Sequence, residues 1–486
     1  MNLDIRHPAT VRGTIFVAAV APLLALRLRQ AQPGLLYPDG YQYLLMAKGV
    51  AAHGRPFLTL GPGGDTLLPS VDAAAKPLYP ALVAAVHEFG FGWFDAARLV
   101  SALAAAATVL LAALLARRLT GSWLAAAVAA GGCVASRGLA FWGGFAGPDS
   151  LGQAFALGST LALLGRRPRL GGALAALAVL ARPELAVLAV VAAIVGLALP
   201  ELRQAALRAG LSFIVVLVAV LALLRPPIGA PPLSASLALG ALALLATVVC
   251  VIAKRTRIGG TAWLVVCGPL VVSVVVLLAQ AAGTRRWVHD DWPLLLAGSV
   301  GCALGLLNGR FRPAAGGLLV SGASLALVYW SKNPGSERYL ALLTPLVAVL
   351  AGFAVVVPRR TVRVASIVVV ALLATGLLRG VPEPSGPDAF PTVARQLRAL
   401  DLPALPVVTA APDAYGVLLA HRTVRLARPG VKGLIVLDGA QRAYSPNLRV
   451  SGRVVARLEP GPGFLRPDGI VDRRRVTVVL GTVIAA

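Results

Sequence analysis

Acidic side chains and usable cysteines are both scarce in this sequence. Of 486 residues only 20 are Asp or Glu, against 45 Lys or Arg, and charged residues of both signs make up 13%. A soluble domain carries about 25%, so an ordinary water-facing surface is excluded. The cysteines number four, Cys133, Cys250, Cys267 and Cys302. All lie inside apolar runs, without CxxC or Cys/His spacing, and read as small buried hydrophobes. That excludes a disulfide framework and a zinc site of the usual spacing. The amino-terminal stretch has a basic flank and an apolar core but no small-residue cleavage site. It reads as a retained first span.

Apolar residues are abundant: 58% of the chain, with a mean hydropathy of +0.80. They come in blocks near the roughly 20 residues that a bilayer crossing needs. The spacing predicts a polytopic α-helical membrane protein. About thirteen spans are expected, at 12–29, 96–115, 122–142, 150–165, 170–181, 184–199, 208–224, 234–253, 260–279, 293–307, 314–330, 339–357 and 364–378. The net charge of +25 raises nucleic acid as a partner, but the surplus sits mainly in short loops between spans, where the positive-inside rule puts it. Anionic lipid headgroups are the expected counter-charge.

Arginines and a lysine at 117–118, 166–167, 203, 208, 254–255, 310, 312 and 359–360 fall on one side. That side is assigned to the cytoplasm, with the N-terminus inside and the tail outside. Arg27, Arg29, Arg285 and Arg286 fall on the opposite face. Residues 1–379 form the membrane module, with a long first outer loop at 30–95. From 380 to 486 the pattern changes: a linker, a helix, a short strand and another helix, then "GLIVLDG" and "RRVTVVLGTVI" as strands. A small extracytoplasmic α/β domain is expected there.

Polar residues near lipid are costly and point to function. The outer face gathers Asp39, Asp65, Asp72, Lys76, Asp149, Arg182, Glu184, His289, Asp290, Asp291, Glu337, Arg338 and Tyr339. A carboxylate with Lys and Arg beside it suits transfer from a lipid phosphate: the acid takes a proton from an attacking hydroxyl, and the cations hold the phosphate. Simpler roles fit the same spacings. Asp39 and Asp149 stand where N-caps stand, and Lys76 is placed to snorkel. Arg182 and Glu184 read as a local ion pair at a hairpin tip, His289 as a solvated histidine. Tyr41, Tyr43, Trp93 and Trp142 fit an interfacial aromatic belt.

Four segments carry a family resemblance: "PDGYQYLLMAKGVAAHG", "AAAKPLYPALVAAV", "GPDSLGQAFAL" and "SERYLALLTPLVAVL". In this order the chain resembles the GT-C superfamily of polyprenyl-phosphate-sugar glycosyltransferases, and within it the protein mannosyltransferase and aminoarabinose transferase group. The resemblance covers residues 12–380. It implies that Asp39 is the catalytic base, or positions the base or a metal, and that Asp149 is a second carboxylate of the pocket. It further implies that Lys76, Arg338 and Tyr339 hold the donor phosphate. Leu78 replaces a proline of the family segment. Ala75 stands where the aminoarabinose transferases carry a glutamate before the lysine, which leaves Asp72 as the nearest acid. A divalent cation is a candidate cofactor.

The expected reaction is sugar transfer from a polyprenyl phosphate to an acceptor hydroxyl, with inversion, at the outer face of a bacterial cell membrane. The acceptor would be an envelope glycan, a glycolipid or a secreted protein. A polyprenyl-lipid or glycolipid flippase is the alternative, with the short hairpin at 170–199 in its favour and the lack of an internal repeat against it. A non-catalytic membrane subunit whose outer domain recruits a partner is a third possibility.

Overall fold

The computed structural model describes residues 21, 24–25, 39–59, 66–67, 76–198, 200–225, 282–332, 340–356, 360–379, 389–400, 402–419, 421–445, 447–461, 464–465 and 471–484. The spans expected at 234–253 and 260–279, and nearly all of the first span, lie outside them, as do Asp65, Asp72, Glu337, Arg338 and Tyr339.

The chain is a mostly helical membrane protein with a small sheet at its C-terminal end. Helix α1 runs Asp39–His53, followed by a two-stranded hairpin of β1 (Leu58–Thr59) and β2 (Thr66–Leu67) and by α2 (Leu78–Glu88). Helix α3, Trp93–Thr120, is the longest described element. At 1.5 Å per residue it is about 42 Å long, more than a hydrocarbon core requires. It ends at Gly121, whose φ of 76° is left-handed, the usual stop for a helix. Arg117 and Arg118 in its last turn favour the negative end of the dipole. Buried alanines along it, among them Ala104, Ala105, Ala112 and Ala116, let neighbouring backbones approach closely, as membrane helix packing requires.

Next come α4 (Trp123–Ala135) and α5 (Arg137–Gly144), two helices meeting at a bend of 65°. The bend has a chemical cause. Ser136 sits between the halves in an extended conformation, and its Oγ accepts from the Leu139 N–H to cap α5. Its hydroxyl donates to Asp291, 2.8 Å away. The stretch expected as one span at 122–142 is thus two helices with a bend between them.

Helices α6 (Asp149–Leu164), α7 (Pro168–Ala181), α8 (Ala186–Ala198) and α9 (Pro200–Leu224) follow. A 3-10 turn at Pro183–Leu185 joins α7 to α8. Beyond the undescribed stretch stand α10 (Ala282–Leu307), α11 (Arg312–Lys332), α12 (Thr344–Ala351) and α13 (Arg360–Leu378). Asp291 leaves helical geometry inside α10, at φ −113° and ψ 16°, and Pro293 follows two residues on. Proline removes a backbone donor and crowds the preceding turn, which accounts for the kink.

Among the described residues three helices are long and apolar enough to cross a membrane, Trp93–Thr120, Glu201–Leu224 and Trp287–Leu307, or four if the bent pair is one span. The described residues do not establish a count of thirteen. Along α9 the side chains of Leu207, Leu211, Ile214, Val215 and Val218 are exposed, an apolar face fit for lipid.

The C-terminal part is an α/β unit. It opens with α14 (Phe390–Ala399), whose Phe390, Val393, Ala394 and Leu397 make one buried stripe at helical spacing. Its sheet has the order β4-β3-β5-β9-β6, built from β3 (Val407–Thr409), β4 (Val424–Leu426), β5 (Lys432–Leu437), β6 (Arg449–Leu458) and β9 (Val476–Ile484). Strand β3 runs parallel to β4 and β5, while β9 runs antiparallel to β5 and β6. Helices α15 (Pro412–Leu418) and α16 (Gly439–Tyr444) and a small hairpin of β7 (Phe464–Leu465) with β8 (Val471–Asp472) complete it.

One hydrophobic core runs through α1, α2, the start of α3 and this C-terminal unit, joining Tyr41, Tyr79 and Val83 to Phe390, Tyr415 and Val478. Tyr41 and Tyr43 are therefore not belt residues: both are wholly buried. A second core lies among α3, α4, α10, α12 and α13.

Candidate functional site

The site residues within the described chain, Asp39, Lys76 and Asp149, lie on or beside elements that pack against α3. Asp39 stands half-buried in the first turn of α1, where a carboxylate is favoured by the helix dipole. One turn further along the same helix, Tyr43 lays its ring edge-on to Tyr79 of α2, centroids 5.5 Å apart. The Tyr79 hydroxyl donates to the Ala97 carbonyl at 2.9 Å and meets Ser101 Oγ at 3.0 Å. Ser101 Oγ in turn lies 3.3 Å from both the carbonyl oxygen and the amide nitrogen of Gly147, just before α6. A chain of side-chain contacts thus joins the helix bearing Asp39, the segment opening at Lys76 and the loop leading to Asp149. Lys76 itself is 3% exposed, so it is no snorkelling surface lysine.

Asp149, in the first turn of α6, is 2% exposed and faces Arg182, which has no exposure at all. Arg182 Nη2 lies 3.2 Å from Asp149 Oδ1, and Arg182 Nε lies 3.6 Å from Glu184 Oε2. The expected local pair at a hairpin tip is corrected here. Arg182 and Glu184 do meet, but they are buried, and Arg182 also reaches the aspartate of another helix. Buried charges persist only when paired. The reach depends on Gly152, one turn beyond Asp149: a Cβ there would stand 2.8 Å from Arg182 Cγ and 2.9 Å from Leu185 Cδ1.

The Gln153 side-chain amide of α6 donates to the Ala341 carbonyl at 3.2 Å. Ala341 is three residues beyond Arg338 in sequence. Arg338, Tyr339 and Asp72 lie outside the described residues, so their part in the site stays an expectation.

The C-terminal unit adds a carboxylate that the sequence reading did not single out. Asp413, in the first turn of α15, is 4% exposed. Burial pushes its carboxyl up to about 6; the Gln42 side chain of α1 and the N–H groups of Asp413 and Ala414 oppose this, and the charge of Asp39 adds to it. Tyr41, Phe390 and Tyr415 hold the two helices together through edge-on ring contacts of 5.9 and 5.4 Å.

Arg182 had a signal in the sequence, being a cation between two apolar helices. Asp413 had none, because "APDAYG" reads as an ordinary helix start.

His289 is largely exposed, with Nδ1 3.2 Å from Asp290 Oδ1. Among the described residues no three His, Cys, Asp or Glu side chains converge as metal ligands.

No protein-family model matches the sequence, and no curated protein matches it. Solved structures do match. ArnT from Cupriavidus metallidurans, bound to undecaprenyl phosphate, aligns over 97% of this chain and 98% of its own, with 16% identity and a TM-score of 0.54. The arabinofuranosyltransferase AftD from Mycobacteria aligns over 96% of this chain and 40% of its own, with 18% identity and a TM-score of 0.52. The archaeal oligosaccharyltransferase AglB from Archaeoglobus fulgidus, in complex with an inhibitory peptide and a dolichol-phosphate, aligns over 84% of this chain and 64% of its own, with 12% identity and a TM-score of 0.51. The chain shares the fold of these GT-C glycosyltransferases, the superfamily its four motifs resemble.

Proposed function

We propose that the protein is a glycosyltransferase that moves a sugar from a polyprenyl-phosphate donor to an acceptor hydroxyl, with inversion, at the extracytoplasmic face of a bacterial membrane. The observation that carries this reading is the run of contacts from α1 through Tyr43, Tyr79, Ser101 and Gly147. It ties the elements bearing Asp39, Lys76 and Asp149 to one end of a membrane-spanning helix. A fold shared along nearly its whole length with ArnT, whose structure holds undecaprenyl phosphate, supports the same donor class.

In this reading Asp39 takes the proton from the acceptor hydroxyl as its oxygen attacks the anomeric carbon. The bond from that carbon to the phosphate oxygen breaks, and its electron pair leaves with the lipid phosphate. Lys76 and Arg338 offset the charge that grows there, with Tyr339 beside them. Asp149 serves as the second carboxylate. Its pairing with Arg182, which Glu184 also meets, fixes the start of α6, so the charge orders the helix as well as serving the donor. Asp72 is the reserve acid of the same loop. No step is assigned to a cation.

The test uses purified protein in proteoliposomes, offered polyprenyl-phosphoryl mannose or polyprenyl-phosphoryl arabinofuranose, labelled in the sugar, with cell-envelope extract as acceptor. Label should pass into envelope material, and Asp39→Asn should slow this by about 100- to 10,000-fold while binding of undecaprenyl phosphate is kept. Transfer by the Asn variant at the wild-type rate removes Asp39 from the mechanism. Donor crossing the bilayer without any acceptor would instead favour the flippase.

A further inference from the structure

We propose that the hydroxyls of Tyr79 and Ser101 are positioning groups for the transfer: with the Gly147 amide they form a buried relay that fixes the separation of Lys76 and Asp149. The assignment rests on the transfer reading.

The relay crosses three elements. Tyr79, in the first turn of α2, and Ser101, on α3, have no exposure. The Tyr79 hydroxyl lies 2.9 Å from the Ala97 carbonyl and 3.0 Å from Ser101 Oγ. Ala97 and Ser101 are one turn apart on α3, so Tyr79 is seated on a single turn of that helix. Ser101 Oγ is 3.3 Å from the Gly147 amide nitrogen and equally far from its carbonyl oxygen. A hydroxyl has one proton to give. Tyr79 gives its own to Ala97. The 3.0 Å contact therefore takes the serine proton, and Ser101 is left to accept from the Gly147 N–H. The order is Gly147 N–H to Ser101, Ser101 to Tyr79, and Tyr79 to the Ala97 carbonyl. Bonds that run in one direction like this strengthen one another.

Two prolines carry the anchoring to the charged residues. Lys76 stands three residues before Tyr79, with Pro77 between them at φ −72°. Asp149 stands two residues after Gly147, with Pro148 between them at φ −79°. A proline ring locks φ, so few torsions can vary between each anchor and its charge. Lys76 and Asp149 are both nearly sealed from solvent, in a close-packed interior that resists rearrangement. Tyr79 also lays its ring edge-on to Tyr43, on the helix of Asp39. That contact needs the ring alone. The ring therefore serves packing and the hydroxyl serves alignment. A misplacement of about 1 Å at a reacting group costs on the order of 100-fold.

The experiment measures kcat and donor KM in the proteoliposome assay, using whichever labelled donor the wild type consumes, and the inhibition constant of undecaprenyl phosphate as competitor. Tyr79→Phe keeps the ring and removes only the hydroxyl. It is expected to lower kcat/KM for the donor by about 10- to 100-fold. It should also weaken inhibition by undecaprenyl phosphate, because Lys76 meets the phosphate in this reading. Ser101→Ala should reproduce both changes, and the double variant should be no worse than either single one. Ser159→Ala is the control. Ser159 is another buried hydroxyl, donating at 2.8 Å from α6 to the Gly171 carbonyl of α7. Its loss should lower the thermal midpoint and leave kcat/KM and inhibition in place.

Wild-type kcat/KM in a folded Tyr79→Phe protein overturns the assignment. So do losses that multiply in the double variant, a loss confined to kcat with inhibition unchanged, and an equal loss in Ser159→Ala. If Tyr79→Phe does not fold, Ser101→Ala decides by the same readings. A wild type inert toward both donors removes the transfer reading instead. The relay is then judged by direct binding of undecaprenyl phosphate, where equal affinity in the wild type and Tyr79→Phe overturns it.

Discussion

Buried carboxylates in the C-terminal unit oppose one another in their response to pH. Asp413 and Asp438 are both pushed up to about 6, chiefly by burial; at Asp438 the hydrogen bonds from Gln441 and Tyr415 work the other way. Asp472 is also pushed up by burial, but hydrogen bonds from Arg474 and Arg442 outweigh this and hold it well below the usual range. An unfolded aspartate titrates near 3.9. Asp413 and Asp438 thus bind a proton more tightly in the fold: the stability they lend is complete below about pH 4 and is lost as pH rises through about 6. Each is worth on the order of 3 kcal/mol over that window. Asp472 works in reverse, and its contribution is lost only as pH falls below the ordinary aspartate range. Hydrogen exchange of the full chain in detergent, corrected for intrinsic rates, should show β3, β5 and β9 better protected at pH 5 than at pH 7.5. Asp438→Asn should narrow the gap, and equal protection at both pH values in the wild type would contradict the assignment of these groups. None of this was legible in the sequence, where "APDAYG" reads as an ordinary helix start and "GLIVLDG" as a strand. Asp438 caps α16, but the burial that shifts it comes from chain far away in sequence.

Among the elements, the sequence reading served best for long apolar helices and worst for the places where they break. The stretches at 96–115, 150–165, 170–181, 184–199, 208–224 and 293–307 correspond to α3, α6, α7, α8, α9 and the later part of α10, because hydropathy reports burial in lipid directly. The bend at Ser136 and the kink at Asp291 were missed, although the two breaks meet in the fold. Asp291 Oδ1 accepts from the Arg137 N–H at 2.8 Å, and Oδ2 from the Ser136 hydroxyl. A carboxylate of α10 thus receives the first donors of α5, two segments separated by more than 150 residues. Asp291→Ala would leave those donors without their acceptor. It should cost about 1–3 kcal/mol, read as a lower thermal midpoint in detergent, and Asp291→Asn should cost less. The same logic applies to Gly152. Its missing Cβ gives Arg182 a path to Asp149, so Gly152→Val should break that pair. Transfer should fall together with the thermal midpoint, while Gly210, where an added Cβ would meet nothing within 4 Å, should accept alanine without either loss.

At the scale of the molecule, the boundary between membrane module and C-terminal domain was drawn at residue 380 from a change of composition. The core does not respect that line. Tyr41, Tyr79 and Val83 on one side share a cluster with Phe390, Tyr415 and Val478 on the other. Composition marks which segments meet lipid, but it carries no information about which water-facing surfaces pack together. Burying apolar area is worth about 25 cal/mol per Å², and aromatic pairs such as Tyr41 with Phe390 add roughly 0.5–1.5 kcal/mol. A chain cut after residue 379 would open this core and expose the buried side of α1. Such a truncation is expected to leave α3 and its membrane neighbours folded, since their own core among α4, α10, α12 and α13 is separate. It should nonetheless make residues 39–59 rapidly exchanging and cleavable by protease. Supplying residues 389–486 as a separate polypeptide should restore protection if the two parts meet through the shared core alone. Persistence of full protection of residues 39–59 in the truncated chain would mean that α1 is held by the membrane module itself.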